Sequence, residues 1–349
     1  MIENEALWLQ SPGGPLTISA ALTPEPGRGE VVVRVRAVAV NPIDGMSGIA
    51  RRLVTPWLRY PTVLGSDVAG EIVATGLDVE RFGAGSRIVG YAAGQEQHRN
   101  NAAEGAFQRY VLLQERNCAP IPDRMRFEDA AVLPLTMMTA AAGLYEPDQL
   151  ALTSPLLDAA RRDEVVLVWG GSTSVGCNAI QLARASGYDV LSTASERNHE
   201  LIRSLGAEHV FDYHNPRAEQ QILDAIDARP LAGTIAIGQG SLSRTRRIVR
   251  NAAGSKRLAS AYPSPMTKLR AHIMRREGIM VSTIWGGTPT TTSVGTMIYE
   301  AFLPRALDTG QYVPAPTSDV VGHGLSTIPD ALSRLRKGVS ARKIVITVD

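Results

Sequence analysis

A strand, a glycine turn and a helix in succession form the feature that most constrains this chain of 349 residues. Residues 165–169 are all apolar, residues 170–176 include three glycines, and residues 177–185 continue with helical spacing. A second strand-like run follows at residues 189–193. This is the length of a βαβ unit that holds a dinucleotide. The free N–H groups and the dipole of the helix N-terminus favour a pyrophosphate there.

The glycine pattern of this turn is incomplete. Gly171, Thr173 and Gly176 stand where the dinucleotide fingerprint has three glycines, so the middle one is missing. The alternative interpretation is a close-packed βα turn, as in any doubly wound protein. The residues of the turn that we predict to bind the cofactor are Gly171, Ser172, Thr173, Ser174 and Val175.

The end of the second strand favours NADPH over NADH. NAD-specific folds place an acid there to bind the ribose 2′-hydroxyl, whereas residues 193–195 of this chain are small or polar. Ser195, Arg197 and Asn198 can bind a 2′-phosphate through a hydroxyl, a charge and an amide, and we expect Glu196 to face solvent. The alternative is that Ser195 and Asn198 only begin the next helix, as capping residues.

Length and composition indicate an ordinary globular protein. A chain of 349 residues exceeds one typical core, so we expect two domains. Hydrophobic content of 44%, charged content of 20% and a net charge of +2 do not suggest disorder or a nucleic-acid partner. The locally basic stretch 242–250 has the apolar spacing of a helix with a solvated face.

The cysteines and the apolar runs bear on location. Cys118 and Cys177 cannot build a disulfide framework and have no CxxC spacing for a metal or for thiol redox chemistry. Residues 1–5 lack a basic leader, and no run of about eighteen apolar residues occurs. We therefore expect a cytoplasmic protein without a membrane segment.

The chain changes character after Pro122. The first 120 or so residues alternate like short strands broken by glycines, whereas residues 126–145 have a helical pattern and later strands and helices alternate as in a parallel sheet. A final helix at 331–335 and a strand at 343–348 are expected to return to the first domain. The predicted domains are 1–125 with 300–349, and 126–299.

Several separated segments together resemble the zinc-independent branch of the medium-chain dehydrogenase/reductases, which includes quinone oxidoreductases and trans-acting polyketide enoyl reductases. The segments are 41–44 (Asn-Pro-x-Asp), 60–70, 105–111, 133–140, 204–207 and 212–213. The resemblance implies an α/β fold, with a Rossmann doubly wound parallel sheet and a GroES-like β-rich catalytic domain. It also implies that Thr139, Tyr213 and Lys343 bind the cofactor. Segments 313–325 and 337–343 look most like the enoyl-reductase group of secondary metabolism.

The resemblance also argues against a metal. Zinc-dependent relatives have a catalytic cysteine and a Gly-His-Glu segment where this chain has Asn41 and Gly65, Ser66 and Asp67. Asp67 alone cannot form a tetrahedral site, and a structural carboxylate that bonds backbone is the better interpretation. We therefore predict no metal. Without the Lewis acid that zinc provides, the alcohol dehydrogenase reaction is disfavoured.

The chemistry that remains is hydride transfer from NADPH to the β-carbon of an enone, an enoyl thioester or a quinone. We predict that Asn41 donates to the developing enolate, with Asp44 and Tyr60 as further catalytic candidates, and Tyr60 or water supplies the α-proton. The alternatives are a turn former for Asn41, a cap for Asp44 and a core residue for Tyr60.

Three functions fit these residues. The first is reduction of a small-molecule or carrier-bound enoyl substrate, in a chain that is a monomer or homodimer and has no nucleic-acid or membrane partner. The second is NADPH:quinone oxidoreduction, and the third is a non-catalytic NADPH-binding module. Fold analogy alone does not choose among them.

Overall fold

The structure, a computed structural model, describes residues 3–261 and 265–348. Its strands are β1 (Asn4–Leu9), β2 (Leu16–Ala21), β3 (Glu30–Ala39), β4 (Thr62–Val63), β5 (Asp67–Thr75), β6 (Arg87–Tyr91), β7 (Tyr110–Gln114), β8 (Cys118–Pro120), β9 (Val165–Trp169), β10 (Asp189–Thr193), β11 (His209–Phe211), β12 (Leu231–Ala236), β13 (Arg257–Ser260), β14 (Met280–Thr283), β15 (Thr317–His323) and β16 (Arg342–Thr347).

The α-helices are α1 (Gly48–Val54), α2 (Phe127–Ala130), α3 (Pro134–Tyr145), α4 (Ser174–Ala185), α5 (His199–Ser204), α6 (Ala218–Ile226), α7 (Ser241–Asn251), α8 (Pro265–Arg275), α9 (Ser293–Thr296), α10 (Leu303–Thr309) and α11 (Ile328–Arg336). Within the described ranges, none of them combines the length and the apolar character that a membrane crossing requires.

The chain divides into two compact units. The first unit comprises Met1–Leu135, Tyr299–Gly310 and Thr317–Asp349, and the second comprises Thr136–Ile298 and Gln311–Pro316. The sequence-based division at 125/126 and 299/300 differs from this in three places. Residues 126–135 and Tyr299 lie with the first unit, and the short segment 311–316 lies with the second.

The first unit is built on two sheets. A seven-stranded sheet has the order β15-β16-β3-β5-β6-β8, with β7 also paired to β3, and a three-stranded sheet has the order β2-β1-β4. Strand β16 pairs antiparallel with β3, Val345 opposite Ala39, so the C-terminal strand returns to the first unit as predicted. Alternating apolar side chains of β3 and β5, such as Val33 and Ile72, form the core of this unit.

The second unit is a doubly wound sheet. Its six strands are all parallel, in the order β11-β10-β9-β12-β13-β14, which is the Rossmann order of two βαβαβ halves meeting between β9 and β12. All five residues of β9 are buried, because a central parallel strand has helices on both faces. The predicted fold class is confirmed.

The segment 126–145, which has a helical pattern in the sequence, forms two helices. The sequence continues the helical pattern through residues 131–133, but Pro134 begins α3 instead of extending α2. Proline lacks the N–H that an interior helical position needs, and its ring clashes with the preceding turn, so it favours the first turn of a new helix. The segment is helical as its pattern predicts, and Pro134 divides it into two helices.

Candidate functional site

The glycine turn of the second unit has its shape for steric reasons. Gly170 has φ +92°, and a Cβ on Gly176 would lie 2.3 Å from the carbonyl oxygen of Gly170. A Cβ on Gly171 would lie 2.1 Å from Oγ of Ser192 in β10. The glycines at the first and third fingerprint positions therefore allow β9 and α4 to pack closely.

Thr173, the residue in place of the missing middle glycine, caps α4. Its Oγ1 accepts from the N–H of Gly176 at 3.0 Å and donates to the carbonyl of Gly170 at 2.8 Å. Thr173 itself is exposed, and Ser172, Ser174 and Val175 are partly exposed. Accessible backbone at the positive end of a twelve-residue helix is the geometry that binds a phosphate group.

The ends of β10 and β11 bring two predicted cofactor residues together. Oγ of Ser195 and the hydroxyl of Tyr213 are 3.0 Å apart, although 18 positions separate them in sequence. Parallel neighbouring strands end at the same edge of the sheet, which places both hydroxyls beside the glycine turn that follows β9. Thr193 at the end of β10 accepts from the Gly170 N–H at 3.0 Å, so it supports the turn.

The remaining residues of this segment divide into exposed and buried ones. Arg197 and Glu196 are exposed, as expected for Glu196, and Asn198 is buried with its N–H bonded to the Ser195 carbonyl at 2.8 Å. The Ser195 hydroxyl forms no capping bond to the following turn. Ser195, Tyr213 and Arg197 thus present two hydroxyls and one guanidinium at the edge where a dinucleotide ribose binds.

Thr139 lies elsewhere in the second unit, half-buried on α3. Thr136, one turn earlier on the same helix, accepts from Nδ2 of Asn178 in α4 at 3.1 Å. The hydroxyl of Tyr312 donates to the amide oxygen of the same Asn178. These bonds fix α3 against the helix that begins at the glycine turn.

The first unit contains a buried ion pair at its predicted catalytic position. Nζ of Lys343 lies 3.0 Å from Oδ2 of Asp67 and bonds Oδ1 of Asn41, and Nδ2 of Asn41 donates to Oδ2 of Asp67 at 2.8 Å. All three residues are at most 4% exposed. Oδ1 of Asp67 accepts from the N–H of Leu135 at 2.6 Å, as a structural carboxylate does.

Lys343 is a predicted cofactor ligand, and its ammonium lies in this cluster. Both of its bonds are to side chains of the first unit, and separating it from Asp67 would leave a carboxylate buried without its counter-charge. Asn41 likewise has its amide oxygen and nitrogen engaged by Lys343 and Asp67, so its orientation is fixed.

Asp44 is the second buried carboxylate of this region. Its Oδ2 accepts from the N–H of Asn41 at 2.9 Å, and its Oδ1 accepts from the N–H of Gly65 at 3.2 Å and from Gln95 at 3.3 Å. Burial raises the pKa of Asp44 to about 6, even though these donors and Arg51 pull it down. Asp44 therefore caps the turn at residues 41–44 and also titrates close to neutrality.

Arg51 is a residue that sequence reasoning missed. It is 2% exposed, and its NH2 nitrogen donates to the carbonyl of Asp44 at 2.8 Å. Its Nε and its other terminal nitrogen are buried with no partner among the described residues. A buried guanidinium on an amphipathic-looking seven-residue helix cannot be recognised from the sequence, where Arg51 and the exposed Arg52 look alike.

Tyr60 is half-buried against the core of the first unit. Burial raises its pKa above the ordinary value, although Arg51 and Arg52 oppose the shift. The phenol therefore keeps its proton at neutral pH, as a proton donor or a packing residue would.

The described residues contain no group of three His, Cys, Asp or Glu side chains that can hold a metal ion. Cys118 and Cys177 are buried free thiols, and burial raises the pKa of each to about 12. Neither is a thiolate near neutral pH, so neither is poised for redox or nucleophilic chemistry.

Comparison with known proteins gives the family. A model of the alcohol dehydrogenase GroES-like domain matches residues 27–123. The dehydrogenase pigH of Monascus ruber is 41% identical over 369 aligned positions, which cover 100% of both chains. The trans-enoyl reductase tndF of Aspergillus flavipes is 34% identical over 362 positions, covering 99% of both.

Among solved structures, a mycobacterial protein in complex with NADPH has the same fold, with a TM-score of 0.69 at 21% identity and 99% of both chains covered. A Rossmann unit joined in one chain to a GroES-like unit defines a class of nucleotide-dependent oxidoreductases. This chain belongs to the medium-chain dehydrogenase/reductase superfamily.

Proposed function

We propose that this chain is an NADPH-dependent, zinc-independent reductase of the C=C bond of α,β-unsaturated carbonyl compounds, with enoyl thioesters as the leading substrate class. The observation that carries the proposal is the buried Lys343–Asp67 pair bonded to Asn41. It lies where the zinc-dependent relatives are expected to hold their metal. An ammonium 3.0 Å from the carboxylate repels a divalent cation, and Asn41 and Ser66 replace two expected ligands.

The residues of the second unit fit NADPH. Residues 171–175 would hold the pyrophosphate at the N-terminus of α4, and Ser195, Arg197 and Tyr213 would hold the 2′-phosphate. When bound, NADPH supplies the hydride that the β-carbon receives. The relative solved with NADPH supports this choice of cofactor.

The residues of the first unit orient and protonate the substrate. An unsaturated carbonyl needs little polarisation, because charge moves to the oxygen only as the enolate forms, and positioning then supplies much of the rate. Asn41, held rigid at both ends of its amide, and the buried cation of Arg51 provide a positive environment for that charge. The α-proton comes from solvent or from Tyr60, whose raised pKa keeps it protonated. The relative named trans-enoyl reductase supports this reaction class.

The test is consumption of NADPH with a panel of enoyl thioesters, simple enones, saturated ketones and quinones. We expect turnover of the enoyl compounds, with deuterium from labelled NADPH on the β-carbon and deuterium from D₂O on the α-carbon. Label on a carbonyl carbon, or turnover of quinones alone, contradicts the proposal. NADPH binding with no turnover of any member indicates the non-catalytic module.

A parallel measurement tests the absence of zinc. The purified protein should contain far less than one zinc ion per chain by elemental analysis and should keep its activity in a strong chelator. Stoichiometric zinc that is lost together with activity would overturn the zinc-independent assignment. The substrate panel would still decide whether the chain is a reductase of the C=C bond.

A further inference from the structure

An acid follows strand β11 of the second unit, at the edge where the proposed function places a phosphate. Asp212 comes directly after β11, and the next residue, Tyr213, pairs its hydroxyl with Oγ of Ser195 at 3.0 Å. An ionised carboxylate repels a phosphate monoester such as the 2′-phosphate of NADPH, which carries close to two negative charges near neutral pH. The assignment of NADPH therefore needs a group that offsets the charge of Asp212.

The ends of β10 and β11 place this carboxylate among the predicted cofactor residues. The N–H of Ala194, after β10, donates to the carbonyl of Phe211 at 3.0 Å, so the segments that follow the two strands start side by side. His199, at the start of α5, donates from Nε2 to the carbonyl of Ala194 at 3.1 Å, and its charge favours the ionised form of Asp212. Asp212 is therefore part of the edge at which the adenosine ribose would bind.

Asp212 is ionised at neutral pH. The backbone N–H of His214 donates to its Oδ1 at 3.0 Å, and this bond does most to hold the pKa of Asp212 below its ordinary value. The imidazole of His214 adds to the effect, while partial burial opposes it. The negative charge of Asp212 is therefore present across the physiological pH range.

His214 is the side chain that can offset this charge. Its Nδ1 lies 2.8 Å from Oδ1 of Asp212, and an ionised carboxylate only accepts, so Nδ1 carries a hydrogen in both the neutral and the charged ring. Nε2 is then the nitrogen that gains or loses the proton. Nε2 forms no hydrogen bond within the described ranges, and the side chain of His214 is 63% exposed, so this nitrogen is accessible to a ligand.

The imidazole of His214 also contacts a side chain that the proposed function assigns to the 2′-phosphate. The ring centroids of Tyr213 and His214 are 4.1 Å apart, and the ring planes are tilted by 36°. Successive residues of a strand point to opposite faces, so this contact depends on the turn that the chain makes after β11. A phosphate bonded by the hydroxyl of Tyr213 would therefore have the titrating imidazole beside it.

The other charged groups of the neighbouring segments do not have this combination of properties. Arg197 has a fixed positive charge, and the adjacent Glu196, which is also exposed, opposes it. Arg217, just before α6, is exposed and likewise keeps its charge at every physiological pH. His199 has its Nε2 engaged by a backbone carbonyl. Among the described residues of this edge, His214 alone joins a hydrogen bond to Asp212 with an accessible titrating nitrogen.

We infer that His214, oriented by Asp212, is a specificity-determining residue for the cofactor, and that it makes the preference for NADPH depend on pH. Protonated at Nε2, it cancels the charge of Asp212 and attracts the 2′-phosphate. Neutral, it leaves the acid uncompensated, and the preference narrows. NADH has a hydroxyl at this position and gains little from the charge. The inference rests on the proposed function, because it takes NADPH to be the cofactor.

The test measures the Kd values of NADPH and NADH by fluorescence titration at about pH 6 and about pH 8.5, on either side of the range in which histidine titrates. The test variant is His214→Asn, whose amide can donate to Asp212 but cannot take up a proton. The matched control is His209→Asn, because His209 is also exposed beside an acid, Glu208 at 4.0 Å, but lies at the opposite end of β11. The 2′-phosphate itself titrates near pH 6, so the Kd ratios are compared between variants at the same pH.

At about pH 6 the unaltered protein should prefer NADPH about threefold more strongly than His214→Asn does, the size expected for one exposed charge pair. At about pH 8.5 the two preferences should agree, because imidazole is then neutral. The His209→Asn control should match the unaltered protein at both pH values. Asp212→Asn should raise the preference at about pH 8.5 by a similar factor, since it removes the uncompensated charge. The difference at about pH 6 should shrink as salt is added.

Calorimetry in buffers of different ionisation enthalpy gives an independent measurement. Near pH 7, NADPH binding should take up more protons in the unaltered protein than in His214→Asn, whereas NADH binding should show no such difference. Equal proton uptake by the two proteins contradicts the role of His214.

Nucleotide preferences that agree between the unaltered protein and His214→Asn at both pH values overturn the inference. An equal loss of preference at both pH values also overturns it, because the imidazole would then contact the nucleotide without using its charge. So does an effect of His209→Asn as large as that of His214→Asn. Equal affinities of the unaltered protein for NADPH and NADH at both pH values contradict the cofactor of the proposed function itself, whereas a clear preference that does not depend on His214 overturns this inference alone.

Discussion

The two candidate sites of this chain are built in opposite ways. In the second unit most of the predicted residues are exposed or partly exposed, Gly171 and Asn198 being buried. The site is shaped by glycine sterics, a helix cap and the hydroxyl pair of Ser195 and Tyr213. In the first unit Asn41, Asp67 and Lys343 are buried and bonded to one another. The polar groups of the second unit's site are accessible to a ligand, whereas those of the first unit's site form bonds with one another.

The difference has an energetic consequence. Polar groups at an exposed edge can be altered at little cost to stability, so substitutions there should change ligand affinity first. Charges inside a core stabilise the fold only as a complete set, and removal of one partner leaves the other buried and uncompensated. The predictions below test whether the two units follow this division.

The largest effect is expected in the buried cluster. Lys343→Met leaves Asp67 without its cation and should lower the free energy of unfolding by about 3–5 kcal/mol at neutral pH. Chemical denaturation followed by intrinsic fluorescence measures this change. Because Met and Lys are similar in length, lost packing contributes little.

The double variant Lys343→Met/Asp67→Asn is the matched control, since it removes both charges. It should recover a substantial part of the stability that Lys343→Met loses, and the non-additivity in the double-mutant cycle measures the coupling of the pair. Full additivity of the two single variants would mean that the pair is not coupled, and the contrast between the two sites would then disappear.

In the second unit we expect the largest change in stability from a substitution of Gly176. Gly176→Ala places a Cβ 2.3 Å from the carbonyl oxygen of Gly170, which is backbone and cannot turn aside. We expect a loss of about 2–3 kcal/mol in stability and a weaker affinity for NADPH, because β9 and α4 must move apart. Calorimetry and NADPH titration measure the two quantities.

Gly83→Ala is the control, because a Cβ at that position meets nothing within 4 Å. It should leave both stability and NADPH affinity within experimental error. An unchanged NADPH affinity in Gly176→Ala would show that the close approach of strand and helix is not needed for the cofactor.

The sequence predicted the second unit better than the first. The strand, the turn at Gly171 and Gly176 and the helix are local in sequence, so their geometry follows from neighbouring residues. Strand order and the approach of Ser195 to Tyr213 also follow from the parallel βαβ pattern. The C-terminal return of β16 was predicted from the pattern of a final helix followed by a strand.

The chemistry of the first unit could not be read in the same way. Lys343 and Asn41 are 302 residues apart, so their bond depends on the pairing of β16 with β3 and has no local pattern. The burial of Arg51 depends on how α1 packs, and the sequence distinguishes it in no way from Arg52. Long-range polar contacts of this kind can be recognised only once the three-dimensional fold is known.

A pH-dependent effect is expected at Asp44. Its pKa is raised from 3.8 in the unfolded chain to about 6 in the fold, mainly by burial. The folded state thus binds the extra proton between these values, so this group's contribution to stability falls as pH rises from about 4 to 6 and is constant above. Asp44→Asn removes that contribution.

The stability of the unaltered chain minus that of Asp44→Asn should therefore be about 1.4 kcal/mol greater at pH 5 than at pH 8. Denaturant unfolding at the two pH values measures it, and all other titrating groups cancel in the difference. A difference that shrinks on acidification would mean that the hydrogen-bond donors outweigh burial and that the pKa of Asp44 is lowered.

The effect expected at the exposed hydroxyl pair concerns ligand affinity alone and leaves stability unchanged. The chain should bind NADPH at least about tenfold more tightly than NADH, because a charge-assisted contact to the 2′-phosphate contributes roughly 1.5–3 kcal/mol. Tyr213→Phe and Arg197→Ala should each narrow that ratio while NADH affinity and thermal stability stay the same, since both side chains are exposed or nearly so. Fluorescence titration of both nucleotides measures the ratio.

Equal affinities for NADPH and NADH in the unaltered chain would contradict the assignment of NADPH as the cofactor. A ratio that neither substitution changes would mean that Ser195 and Asn198 only begin the next helix, and the exposed edge would then not discriminate between the two cofactors.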